Sequence, residues 1–255
     1  MLKKIKQYRF MFSELVKRDF KKKYKRTVLG MGWSMLSPLL HLLVMKIVFT
    51  QFFGRNTPHY TTYLFAGNLF FSFFRESTNG GKDALISNRD LILKINIPKY
   101  LFLLSKNVSA LINFGLTLIV FFIFVALDGI PFSPKFIAIL YPVVCLVFIN
   151  IGVGLVLSAL NVFFRDIGYL YDIFTQLLMY MSAIFYKVDA YPASVQRLFL
   201  INPVYDCIKY VRVVVLEGNI PSLQYHVLML AYACVFLVAG CVLYKKMNHR
   251  FVYYL

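Results

Sequence analysis

Leu15-Val16-Lys17-Arg18-Asp19-Phe20-Lys21-Lys22-Lys23-Tyr24-Lys25-Arg26-Thr27-Val28-Leu29-Gly30-Met31-Gly32-Trp33-Ser34-Met35-Leu36-Ser37-Pro38-Leu39-Leu40 is the stretch that decides the fold. A strongly basic segment passes through a Gly-x-Gly-Trp hinge straight into an apolar run. Apolar or aromatic residues recur at helical spacing at Ile5, Tyr8, Phe12, Leu15, Val16, Phe20 and Tyr24, and lysines and arginines fill the other faces. The pattern predicts an amphipathic interface helix over residues 1–31, flat on an anionic membrane surface, with rings in the acyl boundary and cations at the headgroups. A solvated basic helix would not run into an apolar span without a break.

The 255 residues are 60% hydrophobic and carry a formal net charge of +17. Such a charge can mark a nucleic-acid binder, but its distribution excludes that class, since 11 Lys/Arg fall before Met31 against only Glu14 and Asp19. The apolar runs are too long for a soluble core and suit a bilayer of roughly 30 Å, crossed by about 20 helical residues. The first run starts near residue 33 with no small-residue cleavage pattern, so no cleavable signal peptide is expected. Cys145, Cys207, Cys234 and Cys241 read as small packing hydrophobes, without disulfide or metal spacing.

Working outward, six spans are predicted at about 33–53, 60–75, 100–127, 136–163, 168–187 and 223–244. The fold class is therefore an all-α integral membrane protein, because in lipid every backbone donor must be satisfied within its own segment. The third and fourth spans exceed the bilayer thickness and should tilt or project. With both termini cytoplasmic, the inner segments hold the 11 amino-terminal cations, Arg75, Lys82, Arg89, Lys94, Lys99, Arg165, Lys245, Lys246 and Arg250. The outer segments hold only Arg55, Lys135, Lys187, Arg197, Lys209 and Arg212, a clear positive-inside bias.

Two connections are more than loops. Residues 84–98 read as a short helix, apolar at Leu85, Ile86, Leu91, Ile92 and Ile95 and closed by Pro98. It is either a surface helix on headgroups or a docking knob for a cytoplasmic partner. On the outer side, 188–221 holds two short apolar segments opened by Tyr191-Pro192 and Asn202-Pro203, expected to form re-entrant helices.

Chemistry-bearing motifs are scarce. His41, His59, His226 and His249 are dispersed, so no metal site is predicted and no catalytic residue is assigned. Gly80-Gly81-Lys82 is followed by Asp83 where a phosphate loop needs Ser or Thr, and Glu76 stands where its first glycine should be. Any ATP hydrolysis must come from another polypeptide. Acidic residues are not expected within the spans, which disfavours proton or sodium coupling. Lys46, one turn from His41, either faces a water-filled path or pairs with polar groups of another helix; Lys106 is near enough to a span end to snorkel.

Lys17-Arg18-Asp19, Tyr24-Lys25, Leu29-Gly30, Trp33 and Leu36-x-Pro38-Leu39 resemble the start of the ABC-type polysaccharide exporter permeases. The likeness continues at Asn88-x-x-Leu91-Ile92-x-Lys94-x-x-Ile97-Pro98, Asn161-x-x-x-Arg165-Asp166-Ile167, Ser182-Ala183-Ile184-Phe185-Tyr186 and Ile201-Asn202-Pro203. Ala183 stands where that family usually has proline, so a proline kink in the fifth span is not implied. The resemblance implies a six-span type 2 ABC exporter domain over 32–255 in the cytoplasmic membrane, which is not itself an enzyme. It implies a permease homodimer, two ATP-binding subunits carrying the ATP and Mg, surrounding membrane lipids, and a lipid-linked glycan of O-antigen, capsule or teichoic acid type as substrate. Asn88, Arg89, Asp90, Leu91 and Ile92 would then form the coupling helix. Arg165 and Asp166 would mark a cytoplasmic gate, and Phe49, Phe52, Phe53, Phe174, Tyr180, Phe185 and Tyr186 the translocation path, with one of Phe174 and Tyr180 facing the pore. Two other classes stay open: an ATP-driven exporter of a small drug-like or lipid molecule, and a polytopic enzyme acting on lipid-linked sugars.

Overall fold

The computed structural model describes residues 2–24, 27–49, 58–95 and 97–254; side chains 1–7, 24, 31 and 252 are also outside the description, as are Phe52 and Phe53. Among the described residues the chain is all helical. In chain order the helices are α1 (Leu2–Tyr24), α2 (Trp33–Phe49), α3 (Tyr60–Lys82), α4 (Arg89–Lys94), α5 (Tyr100–Leu127), α6 (Leu140–Phe163), α7 (Ile167–Met181), α8 (Ala193–Phe199), α9 (Pro203–Leu216), α10 (Leu223–Met247) and α11 (Phe251–Tyr254).

Three segments are long and apolar enough to cross a membrane: α5, α6 with the 3₁₀ turn before it (Pro134–Phe163), and α10; α2 is a shorter apolar helix. The predicted second span is the apolar half of α3, which continues through Ser77, Thr78, Asn79, Gly80 and Gly81 to Lys82. This helix is the hub, buried along nearly its whole length between α5, α6 and α9. Its polar lower half is tolerable because neighbours satisfy it, as where Ser77 donates to Asn107 Oδ1. Phe65 meets Phe121 edge-on at 5.6 Å and Phe70 meets Phe114 at 5.3 Å, the favoured aromatic geometry.

Lipid supplies no hydrophobic drive between membrane helices, so close backbone approach must hold them together. The α6–α10 contact shows this: a Cβ on Gly152 would lie 2.3 Å from the Phe236 carbonyl carbon, and one on Gly240 would lie 2.4 Å from the Gly152 oxygen. Cys145 and Cys207 are buried as read, whereas Cys234 and Cys241 lie exposed on the outer side of α10; all four are free thiols.

The apolar face of α1 exists as predicted, but protein covers much of it. Tyr8, Phe12 and Leu15 pack with Leu85, Ile92, Phe102 and Phe251 instead of all facing acyl chains. Asp19 shows why the helix docks there. Its buried carboxylate accepts from Ser105 Oγ at 2.9 Å and pairs with Arg18 at 2.9 Å and Lys106 at 3.1 Å. Lys106 is thus paired with protein, where the sequence suggested snorkelling. Arg18 also donates to Asn88 Oδ1 at 2.7 Å, tying α1 to the turn that starts α4.

The expectation of acid-free spans fails at Asp172, inside the fifth span, while Glu76 lies one residue beyond the second. Glu76 in α3 accepts from Asn113 at 2.7 Å and pairs with Lys23 at 2.8 Å, and Asp172 lies in α7 beside Lys82. Both carboxylates are retained because each has a cation partner. Lys46 is exposed on the flank of α2, not enclosed in the chain.

Asn202 caps α9 by accepting from the amides of Val204 and Tyr205, and Pro203 occupies the first turn where its missing N–H is harmless. The two predicted short helices differ in role. Most of α9 is buried in the core, while α8 has no buried residue.

Candidate functional site

The feature that gathers most of the predicted site residues is α7 with its two attachments. At 1.5 Å per residue its 15 residues reach only about 22 Å. The fifth predicted span, 168–187, therefore breaks after Met181. Only Tyr171 and Thr175 of α7 are buried. Tyr169, Ile173, Phe174, Leu177 and Tyr180 form a large exposed apolar and aromatic face.

The carboxy-terminal end of α7 is tied by a knot of backbone carbonyls. Ala183 adopts a left-handed φ of 49°, which proline, fixed near −65°, could not. The break occurs without the family's proline because Arg212 holds it open. The Arg212 guanidinium donates to the carbonyls of Ala183 at 2.8 Å, Ile184 at 2.9 Å and Tyr63 at 3.2 Å, and it lies 3.4 Å from the Tyr63 ring centroid. Tyr60 donates to the Phe185 carbonyl at 2.8 Å and Tyr63 to that of Tyr186 at 2.6 Å. Asn202 reaches Met181 O at 3.3 Å while capping α9 with its other amide atom. An unwound turn inside a membrane protein leaves orphan carbonyls, and here one buried arginine, two tyrosines and an asparagine satisfy them. Gly67 makes room, because a Cβ there would lie 2.7 Å from the Arg212 Nη2. Sequence reading counted Arg212 among the outer cations, within the second expected re-entrant helix; no local signal marks it as buried.

The amino-terminal end of α7 is tied more lightly. Lys82 donates to Asp172 at 3.2 Å and to the Gly168 carbonyl at 3.4 Å, and Tyr171 donates to Thr78 Oγ1 at 2.6 Å. The Lys82 side chain is 7% exposed, but that of Asp172 is 62% exposed. Asn161 donates to the Lys82 carbonyl at 3.2 Å and to Asp83 at 3.3 Å, bringing the end of α6 to the same point. The chain continues directly from Lys82 into the turn Ile86–Asn88 and α4. Arg165 and Asp166, the predicted gate pair, sit exposed at the α6–α7 elbow, and among the described residues neither side chain has a hydrogen-bond or ion-pair partner. The pair lies where sequence reading put it, at the end of the fourth span, and sequence reading did not single out the Lys82–Asp172 contact.

The predicted path residues divide. Phe49 stacks on Phe185 at 4.3 Å, and Phe185 lies 6.2 Å from Tyr180, so α2 and the end of α7 share one aromatic row. Phe174 and Tyr180 are both half-exposed in the single chain, at 50% and 52%. Tyr186 points away and packs on Tyr191 and Phe199.

In the predicted coupling helix, Asn88 is buried and donates to the Ala84 carbonyl at 2.7 Å. Arg89 and Asp90 are exposed and Leu91 is half-buried. Ile92 is 9% exposed and faces the chain's own core, so it is unavailable as a docking anchor; Leu93, at 50%, is the outward apolar side chain. Among the described residues no group of three His, Cys, Asp or Glu side chains could hold a metal.

Residues 11–216 match the family described as ABC-2 type transporter. An O-antigen export system permease protein, RfbA, of Myxococcus xanthus is 26% identical over 98% of this chain and 97% of its own length. A Klebsiella pneumoniae protein of the same description is 26% identical over 95% of each chain. The polysialic acid transport protein KpsM of Escherichia coli is 22% identical over 89% of this chain and 90% of its own.

Proposed function

We propose, from the premise that this chain belongs to the ABC-2 type transporter family, that it is the permease of an ATP-driven exporter of a lipid-linked polysaccharide. The observation that carries this reading is its near end-to-end likeness to export permeases named for O-antigen and polysialic acid. In this reading α2, α3, α5, α6, α7 and α10 cross the cytoplasmic membrane with both termini inside, and α8 and α9 form the outer re-entrant pair. Two copies pair so that the open faces of α2 and α7 enclose the path. Flat rings such as Phe174, Tyr180 and Phe185 suit sugar C–H faces without trapping the chain by charge. Separate ATP-binding subunits, carrying ATP and Mg, engage α4 through Arg89, Asp90 and Leu93. Their movement passes through Lys82 and Asp172 to α7.

Deleting the gene in its own host and measuring surface and membrane-bound glycan tests the function. Lipid-linked glycan should accumulate at the inner face while surface glycan falls, and complementation should reverse both. Unchanged surface glycan with no accumulation would overturn the reading.

A further inference from the structure

A cavity of about 400 Å³ opens between the amino-terminal end of α5, the middle of α6 and the carboxy-terminal end of α10, away from the exposed faces of α2 and α7. Its wall is apolar at Leu104, Ile151 and Leu155, its rim carries Lys99 and Lys245, and the buried Tyr244 completes the lining. Among the described residues no carboxylate lines it and neither lysine is in an ion pair. Lys99 donates to the Asn248 carbonyl at 3.1 Å and sits 5.9 Å from the Phe251 ring centroid, so its ammonium is held in place without a counter-charge. Burial pushes the Lys99 pKa down, as expected of a cation lacking an anionic neighbour. The Tyr244 hydroxyl is buried with no hydrogen-bond partner, an arrangement that proteins rarely leave uncompensated.

We infer that this cavity is a binding site for an anionic phospholipid. Lys99 and Lys245 meet the headgroup phosphate, Tyr244 donates to a headgroup oxygen, and the wall of Leu104, Ile151 and Leu155 receives the upper acyl chain. The chemistry selects this ligand on two counts. Two uncompensated cations at the end of membrane helices favour a net-negative headgroup, and an apolar wall beneath them favours an attached hydrocarbon. The inference rests on α5, α6 and α10 lying in a membrane and not on the cargo proposed above, so failure of glycan export leaves it intact.

The test is native mass spectrometry of the full chain in mild detergent, titrated with palmitoyl-oleoyl phosphatidylglycerol or the matching phosphatidylcholine. Phosphatidylglycerol should bind at least about tenfold tighter. Lys99→Gln with Lys245→Gln should bring the two lipids to parity, and Tyr244→Phe should weaken phosphatidylglycerol a few-fold. Lys135→Gln with Arg197→Gln, at exposed positions that do not line the cavity, should change nothing. Lys245→Glu, at an exposed position, tests the same point should the double variant fail to fold. Equal binding of the two lipids, a preference that survives Lys245→Glu, or inorganic phosphate displacing phosphatidylglycerol completely would overturn the assignment.

Discussion

The two ends of α7 are fastened in different ways. At the carboxy-terminal end a buried arginine, two tyrosines and an asparagine satisfy carbonyls of an unwound turn. At the amino-terminal end one buried tyrosine–threonine hydrogen bond accompanies a lysine that reaches a carboxylate mostly in solvent. Desolvated hydrogen bonds to orphan carbonyls are costly to break, because nothing replaces them in the low-dielectric interior. A pair with one exposed partner exchanges readily with water and contributes little to stability. The carboxy-terminal end is therefore built as a fixed hinge and the amino-terminal end as a releasable catch, next to the helix on which an ATP-binding partner is proposed to act.

The largest expected effect comes from breaking the hinge. Arg212→Ala should destabilise the chain by about 3–5 kcal/mol, since three carbonyls lose their donor. Thermal unfolding of the detergent-purified protein measures it. Arg212→Lys should recover less than half, because one ammonium cannot reproduce the fork of the guanidinium. If Arg212→Ala costs under about 1 kcal/mol, the two ends are alike and the contrast is wrong.

Crowding the hinge without removing a donor is the next largest. Gly67→Ala puts a methyl 2.7 Å from the Arg212 Nη2 and 3.3 Å from the Ile184 Cα, and should cost about 1–3 kcal/mol. Both atoms belong to the packed knot, so relaxation is limited.

The catch should behave in the opposite way. Asp172→Asn should change stability by no more than about 1 kcal/mol, yet shift the ATPase activity of the assembled transporter and its export rate. Exchanging the charges with Lys82→Asp and Asp172→Lys should restore part of the coupling. A variant with normal export would make this contact passive. Leu93→Asp should have the smallest effect on the fold, within about 0.5 kcal/mol, while weakening co-purification of the ATP-binding subunit. Ile92→Asp places a charge in the core and should instead lower the yield of folded protein.

Sequence reading was strongest where a signal is local or periodic. The Pro203 start of α9, its Asn202 neighbour, the limits of α5 at Tyr100 and Leu127, and the Gly-x-Gly-Trp entry to α2 could all be read from a few consecutive residues. It was weakest for polar groups whose partners are remote. Lys82 and Asp172 are 90 positions apart, and Arg212 and Tyr63 are 149 apart. Taken singly, Lys82 and Arg212 look like loop cations, and Asp172 is lost inside an apolar run. The same limit hid that Ile92 is buried against the chain's own core while Leu93 is exposed, because a six-residue helix is too short for periodicity to fix which face is buried.

By itself the sequence determined the all-helical class, the apolar runs and the bias of positive charge toward one side. Hydropathy and charge act residue by residue, and the bilayer forces helices wherever an apolar run must satisfy its own backbone. Only the tertiary structure decided that α1 docks on protein through Asp19, that α3 is the polar-ended hub, and that α7 is fixed at one end and lightly held at the other. Those outcomes depend on which remote donors meet which desolvated acceptors, a property of packing that no stretch of chain carries alone.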